Sequence, residues 1–459
     1  MKEIPMDCPV FKIFYYKDNY FLYDTYTNSI FKILKSHFEE LYLLQNIGIS
    51  NYVNLNKSTK EYNDVLHLIN KGMLKFGFIK KVEHPETCNI KFLLDRCVND
   101  ITLQVTRDCN FKCRYCLYAN DSKTERNHED INMCWETAKK TIDFLYQHSI
   151  DVDTVNISFY GGEPLLNFDL IVKTVNYASE KLQTKKVHYN MTINGSLLTD
   201  NIINFLILHN FDISISLDGP QKIQNNHRKF LRTGGDTYDT VIKKINSIRR
   251  LSESYFMQHV YFLPVYLNDE NYQEVYDFFE KIGVMKDKVT PIKANLGGMD
   301  YILSEWKIHN LNKKKNGLIK GYTENEISKI NKIINNKNLL PPCWHHNGQC
   351  IPGVQRVFID VYGIMYPCEK ITENKSFSIG NIQEGFDVER IIKFLNVGKL
   401  TATECKKCWA MRFCEGCISL CNDIDLCDIT RDRKLVSCEK QKEKALYDIK
   451  SFIDRTSKL

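Results

Sequence analysis

The chain has 459 residues, 43% of them hydrophobic and 26% charged, which is typical of a folded protein with two or three domains. Its formal net charge of +6 is small for this length and gives no case for a nucleic-acid partner. The N-terminus lacks the pattern of a signal peptide, and no apolar run reaches the about 18 residues of a membrane span. We therefore expect a cytoplasmic protein without membrane contact.

Residues 1–85 form the first predicted unit. From Val10 to Leu34, apolar and polar residues alternate around two turn signals, as in short antiparallel strands. Apolar residues then recur at helical spacing, at Phe38, Leu41 and Leu44 and again at Tyr62, Val65, Leu66 and Ile69. A small sheet followed by helices suits a winged-helix-like module. Because it has no cysteine pair and no acid/base set, the unit is interpreted as a binding module rather than a catalytic one.

Predicted strands and helices alternate from Ile101 onwards. Apolar runs indicate strands at 101–106, 154–160, 187–193, 212–217, 260–267 and 289–295. Amphipathic runs indicate helices at 131–147, 239–251 and 271–283. This alternation predicts an α/β fold with a parallel sheet and right-handed crossovers. Because six strands are too few for a closed barrel of eight, we expect an open, partial (β/α)6 TIM-like barrel over 95–300.

Two further regions follow the predicted barrel. Residues 301–341 are rich in Lys and Asn and are interpreted as a solvated helical bridge. Residues 342–459 form a cysteine-rich domain with a predicted hairpin at 354–363 and a final helix at 439–453. Ten of the 17 cysteines of the chain lie in this domain. Since the cytoplasm keeps thiols reduced, clustered cysteines there indicate metal or cluster ligation rather than disulfides.

Three cysteines follow the first predicted strand of the barrel. Cys109, Cys113 and Cys116 have the spacing Cys-x3-Cys-x2-Cys. Thiolates are suitable ligands for iron–sulfur clusters, and a four-iron cluster with three cysteines leaves one iron open. The alternatives are a zinc site or core cysteines, but structural zinc wants a fourth ligand and none has a suitable spacing nearby. The second strand is followed by Gly161, Gly162, Glu163 and Pro164, which should lie at the same carboxyl edge of the sheet.

The cysteine loop and the Gly-Gly-Glu-Pro motif together resemble the radical S-adenosylmethionine superfamily. The resemblance implies a 4Fe–4S cluster whose open iron binds S-adenosylmethionine, and a 5′-deoxyadenosyl radical that abstracts a substrate hydrogen. It implies that the two glycines let the backbone approach this cofactor, that Glu163 accepts a hydrogen bond from its ammonium, and that Tyr115 packs near its adenine. Contacts with the nucleoside are implied for Asn194, Ser216, Asp218 and Arg228. The alternative for each residue is an ordinary turn, core or solvent-facing position.

A second cysteine pattern lies near the C-terminus. Gly363-x4-Cys368, followed by Cys405-x2-Cys408-x5-Cys414-x2-Cys417, resembles the SPASM extension of radical enzymes that modify peptides. The alternative is a pair of zinc knuckles. The resemblance implies two auxiliary 4Fe–4S clusters, with these ligands: Cys343, Cys350, Cys368 and Cys417 for the first, and Cys405, Cys408, Cys414 and Cys438 for the second.

The chain departs from the SPASM pattern in two ways. Two residues separate Cys414 from Cys417, where the family usually has three, and Cys421 and Cys427 are additional. Either additional cysteine could replace Cys417 or Cys438 as a ligand. Glu369 follows Cys368, at a position where sulfatase maturases carry an aspartate proposed as a base. Glu369 is therefore a candidate catalytic base, and a surface glutamate is the alternative.

Segments 23–31, 349–370 and 404–414 resemble maturases of cysteine-rich peptides. In that class, a winged-helix module adds the leader of a precursor peptide to its sheet edge as an extra strand. The resemblance implies a maturase of the sactipeptide or ranthipeptide type that forms thioether crosslinks in a cysteine-rich precursor whose leader binds residues 1–85. It also implies an electron donor such as flavodoxin or ferredoxin.

Three alternatives to this function remain open. The first is an anaerobic sulfatase-maturating enzyme, which forms formylglycine. The second is another radical modification of a peptide, such as a carbon–carbon or ether crosslink or epimerisation. The third, from a different class, is a zinc-structured peptide-binding protein without catalysis.

Overall fold

A computed structural model describes residues 5, 7–116, 128–266, 272–293, 324–345 and 350–456. Most of the predicted bridge at 301–341 lies outside these residues. Its described part contains a helix, Glu324–Asn335, whose Ile330 and Ile334 are buried. That buried face shows that this part of the bridge packs against the rest of the chain rather than standing in solvent.

The N-terminal unit begins with three antiparallel strands in the order β1-β2-β3. They are β1 (Phe11–Tyr16), β2 (Asn19–Asp24) and β3 (Ser29–Ile33), followed by helices α1 (Lys35–Val53) and α2 (Lys60–Asn70). Lys17 and Asp18, both in the left-handed backbone region, form the tight turn between β1 and β2. The predicted order of strands and helices is therefore confirmed, whereas a winged-helix module with a binding role stays a prediction.

Both faces of this small sheet are covered. Because side chains alternate along a strand, Phe11, Ile13 and Leu22 face α1 and α2, while Phe14 and Tyr23 face the C-terminal part of the chain. The ring of Tyr23 meets Phe413 edge-on at 5.6 Å. Arg412 donates a hydrogen bond to the carbonyl oxygen of Thr25 at 2.9 Å. The N-terminal sheet is thus held between its own helices and the last 50 or so residues of the chain.

The central part alternates strands and helices in chain order. The strands are β4 (Lys81–Val82), β5 (Asp100–Thr106), β6 (Phe111–Cys113), β7 (Thr154–Gly161), β8 (Lys186–Ile193), β9 (Asp212–Ile215), β10 (Arg228–Phe230), β11 (Val260–Phe262), β12 (Val265–Tyr266) and β13 (Ile292–Lys293). The helices are α3 (Ile90–Arg96), α4 (Trp135–His148), α5 (Phe168–Lys181), α6 (Asp200–Leu208), α7 (Gln221–His227), α8 (Tyr238–Leu251), α9 (Glu253–His259) and α10 (Tyr272–Lys281).

A parallel sheet is formed by strands β5, β7, β8, β9 and β11, each of which pairs with the next one in this order. Strand β12 continues β11 and pairs in parallel with β13. The predicted parallel α/β arrangement of six strand segments is therefore confirmed. The fifth segment is interrupted at Pro264, which has no backbone N–H to donate to a ladder. Residues 267 and 294–295 of the predicted strands lie outside the described part of the chain.

The parallel sheet has one apolar and one polar face. Along β7, Val155, Ile157 and Phe159 are at most 1% exposed and belong to the main core. The alternate residues point to the opposite face and are partly exposed. The same alternation continues in β8 and β9. This second surface, called the polar face below, is lined by Asn156, Ser158, Asn190, Thr192 and Ser214.

The C-terminal part extends the central sheet. Its elements are α11 (Glu324–Asn335), β14 (Cys343–Trp344), β15 (Val357–Ile359), β16 (Ile364–Tyr366), β17 (Gly380–Asn381), β18 (Gly385–Phe386), α12 (Val388–Leu395), α13 (Ala402–Cys405), β19 (Asn422–Asp423), β20 (Asp428–Ile429) and α14 (Arg431–Thr456). Strand β15 pairs in parallel with β5, and β16, β17 and β18 continue antiparallel, so the sheet is mixed. A hairpin is present, as predicted, but its second strand, β16, lies just beyond the predicted range of 354–363. Among the described helices, none has the length and apolar composition needed to cross a membrane.

Candidate active site

The loop after β5 carries Cys109, Cys113 and Cys116, called the loop thiols below. Cys109 is 8% exposed, and its Sγ accepts a hydrogen bond from the backbone N–H of Phe111 at 3.4 Å. Burial, followed by the charge of Glu163, raises the pKa of Cys109. Burial likewise raises the pKa of Cys113 to about 12, although Arg228 opposes the rise. Both thiols therefore need a bound cation to become thiolates at neutral pH.

The loop thiols fit a cluster better than a single ion. In the described part of the chain, no three His, Cys, Asp or Glu side chains converge on one point as ligands of one metal ion do. The loop thiols are nevertheless near enough to raise one another's pKa. In a four-iron cluster each cysteine binds a different iron, so its ligands stand farther apart than around one zinc ion. Three thiols that are near one another without converging on one point fit such a cluster better than a single zinc ion.

Two glycines bring the end of β7 against the cysteine loop. Gly161 has a φ of 146°, and a Cβ on Gly162 would collide with the carbonyl oxygen of Asp108. The backbone N–H of Gly162 donates to Thr106 at 3.1 Å, and that of Glu163 donates to Asp108 at 2.8 Å. Only residues without a side chain permit this approach. Pro164, which follows, is buried at the start of a short helical turn.

The carboxyl group of Glu163 ties two strand ends together. It is fully buried, and its Oε2 accepts a hydrogen bond from the backbone N–H of Asn194 at 2.6 Å. Its Oε1 accepts one from Leu165 at 3.2 Å. Burial raises the pKa of Glu163 to about 7. Contact with a cofactor ammonium stays a prediction, and the hydrogen bonds that are present give Glu163 a positioning role between β7 and β8.

We expect Glu163→Gln to flatten the pH dependence of stability between pH 5 and 8. Because the pKa of Glu163 is about 7 in the folded chain against an ordinary 4.5, the folded chain binds the proton more tightly than the unfolded chain. This stabilisation is complete below pH 4.5 and is lost as the pH rises through 7. Thermal melting midpoints across that range measure it.

The chain offers a control variant for the pH dependence of Glu163→Gln and two other buried carboxyl groups for comparison. The exposed Glu180 provides the control, since Glu180→Gln should leave the profile unchanged. Asp100 and Asp360, whose pKa values burial raises to about 6, should retain their own contribution in both variants. Identical profiles for the native chain and Glu163→Gln would contradict a raised pKa of Glu163.

Asn194 belongs to a network of polar side chains at the carboxyl edge. Its Nδ2 donates to Asn110 Oδ1 at 2.7 Å, and its Oδ1 accepts from the Ser196 hydroxyl at 2.7 Å. Asn110 in turn donates to the Ser196 hydroxyl at 2.9 Å. These bonds connect the cysteine loop with the segment after β8. The side chain of Asn194 is thus engaged within the protein, and its predicted nucleoside contact stays a prediction.

Asp218 is the centre of a buried constellation beside Cys113. Its two oxygens accept from Arg228 Nε at 3.1 Å and Nη2 at 3.0 Å, and Oδ2 also accepts from the Tyr115 hydroxyl at 2.6 Å. His227 Nδ1 lies 3.2 Å from the same oxygen. Burial acts to raise the pKa of Asp218, but Arg228 and these hydrogen bonds outweigh it and the pKa is lowered. Asp218 is therefore an ionised partner of Arg228.

The same constellation reaches the cysteine loop. Arg228 opposes Cys113 in the antiparallel pair β6–β10, and its Nη1 lies 3.9 Å from Cys113 Sγ. The Arg228 guanidinium also lies over the ring of Tyr115 at 5.3 Å. Three residues predicted to bind the nucleoside, Tyr115, Asp218 and Arg228, are thus brought together. Their mutual contacts position the cysteine loop.

Ser216 stands apart from these networks. Its backbone N–H donates to Ile193 at 2.9 Å at the carboxyl edge of β8 and β9. The side chain is partly exposed, and its hydroxyl makes no hydrogen bond within the described part of the chain. Ser216 therefore keeps a hydroxyl available for a bound ligand.

The C-terminal cysteines fall into two neighbourhoods. Cys350 and Cys417 contribute to the raised pKa of Cys368, and these three residues are called the first thiol group. Cys405, Cys408 and Cys438 contribute to the raised pKa of Cys414, and these four residues are called the second thiol group. All are free thiols. These two neighbourhoods contain all the predicted auxiliary ligands except one.

The exception is Cys343. It is exposed in β14, and its Sγ lies 3.8 Å from the carbonyl oxygen of Glu83. The buried Cys421 lies between the two groups, since Cys417, Cys438 and Cys405 all raise its pKa. Cys427 is exposed and lies 3.5 Å from the side chain of Asn374. The structure therefore brings Cys421, but not Cys427, close to both thiol groups.

Glu369 lies away from the cysteine loop. Its Oε1 accepts a hydrogen bond from Arg356 at 3.0 Å, and both residues act on the pKa of Asp100. Asp100 begins β5, whereas the cysteine loop follows its end, so about 20 Å of strand separates them. Glu369 is thus beside the first thiol group. Its role as a catalytic base stays a prediction.

Sequence reasoning missed a buried ion pair beside the cysteine loop. Arg107 donates to Glu373 Oε2 at 2.9 Å, and Gln104 donates to Glu373 Oε1 at 2.8 Å. His128 Nε2 lies 3.5 Å from Cys116 Sγ. The position of Arg107 two residues before Cys109 was the available signal. These contacts fasten the cysteine loop to the C-terminal part of the chain.

Comparison with known families identifies the domain that carries this site. Residues 103–282 match the family model described as the radical SAM superfamily. The chain therefore contains a radical S-adenosylmethionine domain, and the loop thiols and the Gly161–Pro164 motif lie within the matched residues.

The relatives of the chain include a radical SAM cyclopropyl synthase and anaerobic sulfatase-maturating enzymes. The radical SAM cyclopropyl synthase TigE of Paramaledivibacter caminithermalis is 22% identical over 85% of this chain and 82% of its own. The cysteine-type anaerobic sulfatase-maturating enzyme of Clostridium perfringens is 24% identical over 69% of this chain and 87% of its own. An uncharacterised protein of Methanocaldococcus jannaschii is 34% identical, but over only 31% of this chain and 46% of its own.

Solved structures agree with this fold. Native anSMEcpe with bound AdoMet superimposes with a TM-score of 0.56 at 20% identity, over 78% of this chain and all of that one. The same protein with AdoMet and the Cp18Cys peptide gives 0.55 at 20% identity, over 79% and 100%. The likeness supports the radical SAM fold of this chain.

Proposed function

We propose that this chain modifies a ribosomally made, cysteine-rich precursor peptide and forms thioether crosslinks within it. The observation that carries the proposal is the combination of the loop thiols at the carboxyl edge with two further thiol groups in the same chain. A 4Fe–4S cluster with S-adenosylmethionine, when bound, supplies a 5′-deoxyadenosyl radical that removes a hydrogen atom from substrate.

The chain's own residues would prepare this site in three ways. The loop thiols hold the cluster, and the Asp218–Arg228 pair keeps Cys113 in place. The backbone at Gly161 and Gly162 holds the end of β7 against the cysteine loop. The Ser216 hydroxyl accepts or donates a hydrogen bond at the ribose.

The polar face suits a peptide substrate. Ser158 pairs with Asn190, and Thr192 pairs with Ser214, so neutral hydrogen-bonding side chains form adjacent rows. Amides and hydroxyls of this kind can pair with the N–H and C=O groups of a peptide backbone. The rows end at the carboxyl edge that carries the loop thiols, so a peptide on this face would reach the radical source.

The crosslink requires removal of one electron and one proton after hydrogen abstraction. The thiol of a substrate cysteine would give up its proton and its sulfur would bond to the carbon radical. The first and second thiol groups would hold the auxiliary clusters that take up the surplus electron. Cys343 is exposed in β14 and is not among the main groups that act on the pKa of Cys350 or Cys368, which supports a cluster there with three protein ligands. Its open iron would hold the substrate sulfur.

The outer edge of β3 is proposed as the docking site of the leader. In the described part of the chain, β3 pairs only with β2, which leaves its other edge free to accept an added strand. Leu34, which directly follows β3, is 65% exposed. An apolar side chain of the leader can cover it. Flavodoxin or ferredoxin would supply the activating electron.

Reconstituted protein incubated with S-adenosylmethionine, dithionite and a cysteine-rich precursor tests the proposal. The expected product has lost two hydrogen atoms per crosslink and resists alkylation at the joined cysteine, as read by mass spectrometry. A precursor without its leader is the control and should react poorly. Unchanged precursor, under conditions that produce 5′-deoxyadenosine, would overturn thioether formation.

Sulfatase maturation is the second candidate, favoured by the matches to sulfatase-maturating enzymes. It would convert a cysteine or serine of a sulfatase peptide to formylglycine. An aldehyde-reactive probe separates the two functions, because formylglycine carries an aldehyde and a thioether does not.

A further inference from the structure

A buried lysine lies against the second thiol group. Lys434 is 2% exposed, and its Nζ donates to the Thr401 hydroxyl at 2.6 Å and lies 3.7 Å from Cys405 Sγ. It occupies the first turn of α14, where its backbone N–H donates to Thr430. The positive end of the helix dipole disfavours a cation at that place.

A buried cation persists where a negative group compensates it. Thiols are among the groups around Lys434. Burial raises the pKa of Cys414, Cys421 and Cys438, and Lys434 opposes the rise in all three. These cysteines approach from the segment after α13 and from α14 itself, so the lysine stands at the point where the second thiol group is assembled.

We propose that Lys434 compensates the net negative charge of an iron–sulfur cluster held by the second thiol group and raises its reduction potential. The inference rests on the proposed function, because it requires that cluster. Four thiolates give a four-iron cluster a net negative charge, and reduction adds another electron. A neighbouring cation stabilises the reduced state more than the oxidised state, and hydrogen bonds to sulfur act in the same direction.

The test is a potentiometric titration of the full-length reconstituted protein, followed by electron paramagnetic resonance. In Lys434→Gln, one cluster should show a ratio of reduced to oxidised form at least tenfold lower at a fixed potential, equivalent to about 59 mV for one electron. Iron and sulfide contents should match those of the native protein. Lys434→Arg, which keeps the charge, should restore most of the ratio.

Lys444→Gln provides the matched control. Lys444 lies on the same helix, but its charge is already neutralised by Glu415 at 2.7 Å. Removing it should leave every cluster potential unchanged. An equal shift in both glutamine variants would contradict a specific role for Lys434.

The remaining outcomes also decide the proposal. Lys434→Gln with full iron content and native potentials overturns it. Loss of one cluster from both the glutamine and the arginine variant also overturns the proposal, because the shape of the lysine side chain rather than its charge would then matter. Loss of a cluster from the glutamine variant alone supports the proposal. Native protein that binds iron for fewer than two clusters overturns the proposed function as well. The iron count thereby separates the two failures.

Discussion

Replacement of Cys113 by alanine is expected to reduce 5′-deoxyadenosine formation to about one thousandth of the native rate or less, because the cofactor carries the radical chemistry. Cys113 is one of the three loop thiols, and it is the one that Arg228 contacts at 3.9 Å. A two-thiol loop cannot hold the cluster in the geometry that leaves one iron for S-adenosylmethionine. Chromatography of 5′-deoxyadenosine after reduction with dithionite measures the loss, and iron content should fall by one cluster.

A control cysteine distinguishes this effect from a general sensitivity to thiol loss. Cys134 is exposed just before α4, and its Sγ lies 3.3 Å from the Thr137 hydroxyl. Cys134→Ala should keep both the iron content and the native rate. A Cys113→Ala variant with undiminished 5′-deoxyadenosine formation would show that the loop thiols are not the radical centre.

Asp218→Ala should destabilise the fold more than ordinary surface changes do. The substitution leaves the buried Arg228 guanidinium without its carboxylate and removes the acceptor of the Tyr115 hydroxyl and of the Val265 N–H. Breaking a buried ion pair in this way costs about 3–5 kcal/mol. The midpoint of thermal or urea unfolding, measured without oxygen, should fall accordingly.

An exposed ion pair of the same type serves as the comparison. Arg250 donates to Asp200 at 2.7 Å, but the two side chains are 60% and 56% exposed. Asp200→Ala should therefore lower the free energy of unfolding by less than about 1 kcal/mol. Equal effects of the two alanine variants would mean that the Asp218 constellation is solvated rather than buried.

The parallel sheet was predictable because its strands carry a strong local pattern. The predicted bounds of the strands at 101–106, 154–160 and 187–193 differ from β5, β7 and β8 by one residue at most. Every second residue of β7 and β8 enters the apolar core, and that alternation is visible in the amino-acid order. The fourth strand, predicted to Leu217, ends at Ile215 instead, where the chain turns toward Asp218.

The contacts that organise the site were not predictable in the same way. The motifs located the cysteine loop, the glycine pair and most auxiliary cysteines. However, Glu373 pairs with Arg107 across 266 positions, and no local pattern relates the two. The sequence predicts one contact for Asp218, with the nucleoside, whereas in the fold its carboxylate makes five polar contacts with four residues. In the sequence, Lys434 is not distinguishable from an ordinary helical lysine. Only the packing of the chain shows that it is buried beside Cys405.

The packing of the N-terminal sheet on α14 has a consequence for synthesis of the chain. Phe14 and Tyr23 share one buried cluster with Ile449 and Ile453, and Tyr16 donates to Asp454 at 2.8 Å. On a ribosome that adds about 5–20 residues per second, roughly 20–90 s would pass between the synthesis of the first strands and the synthesis of these α14 residues. Until then, one apolar face of the sheet is open to chaperones. A chain released before α14 should therefore leave its beginning, rather than its end, incompletely folded.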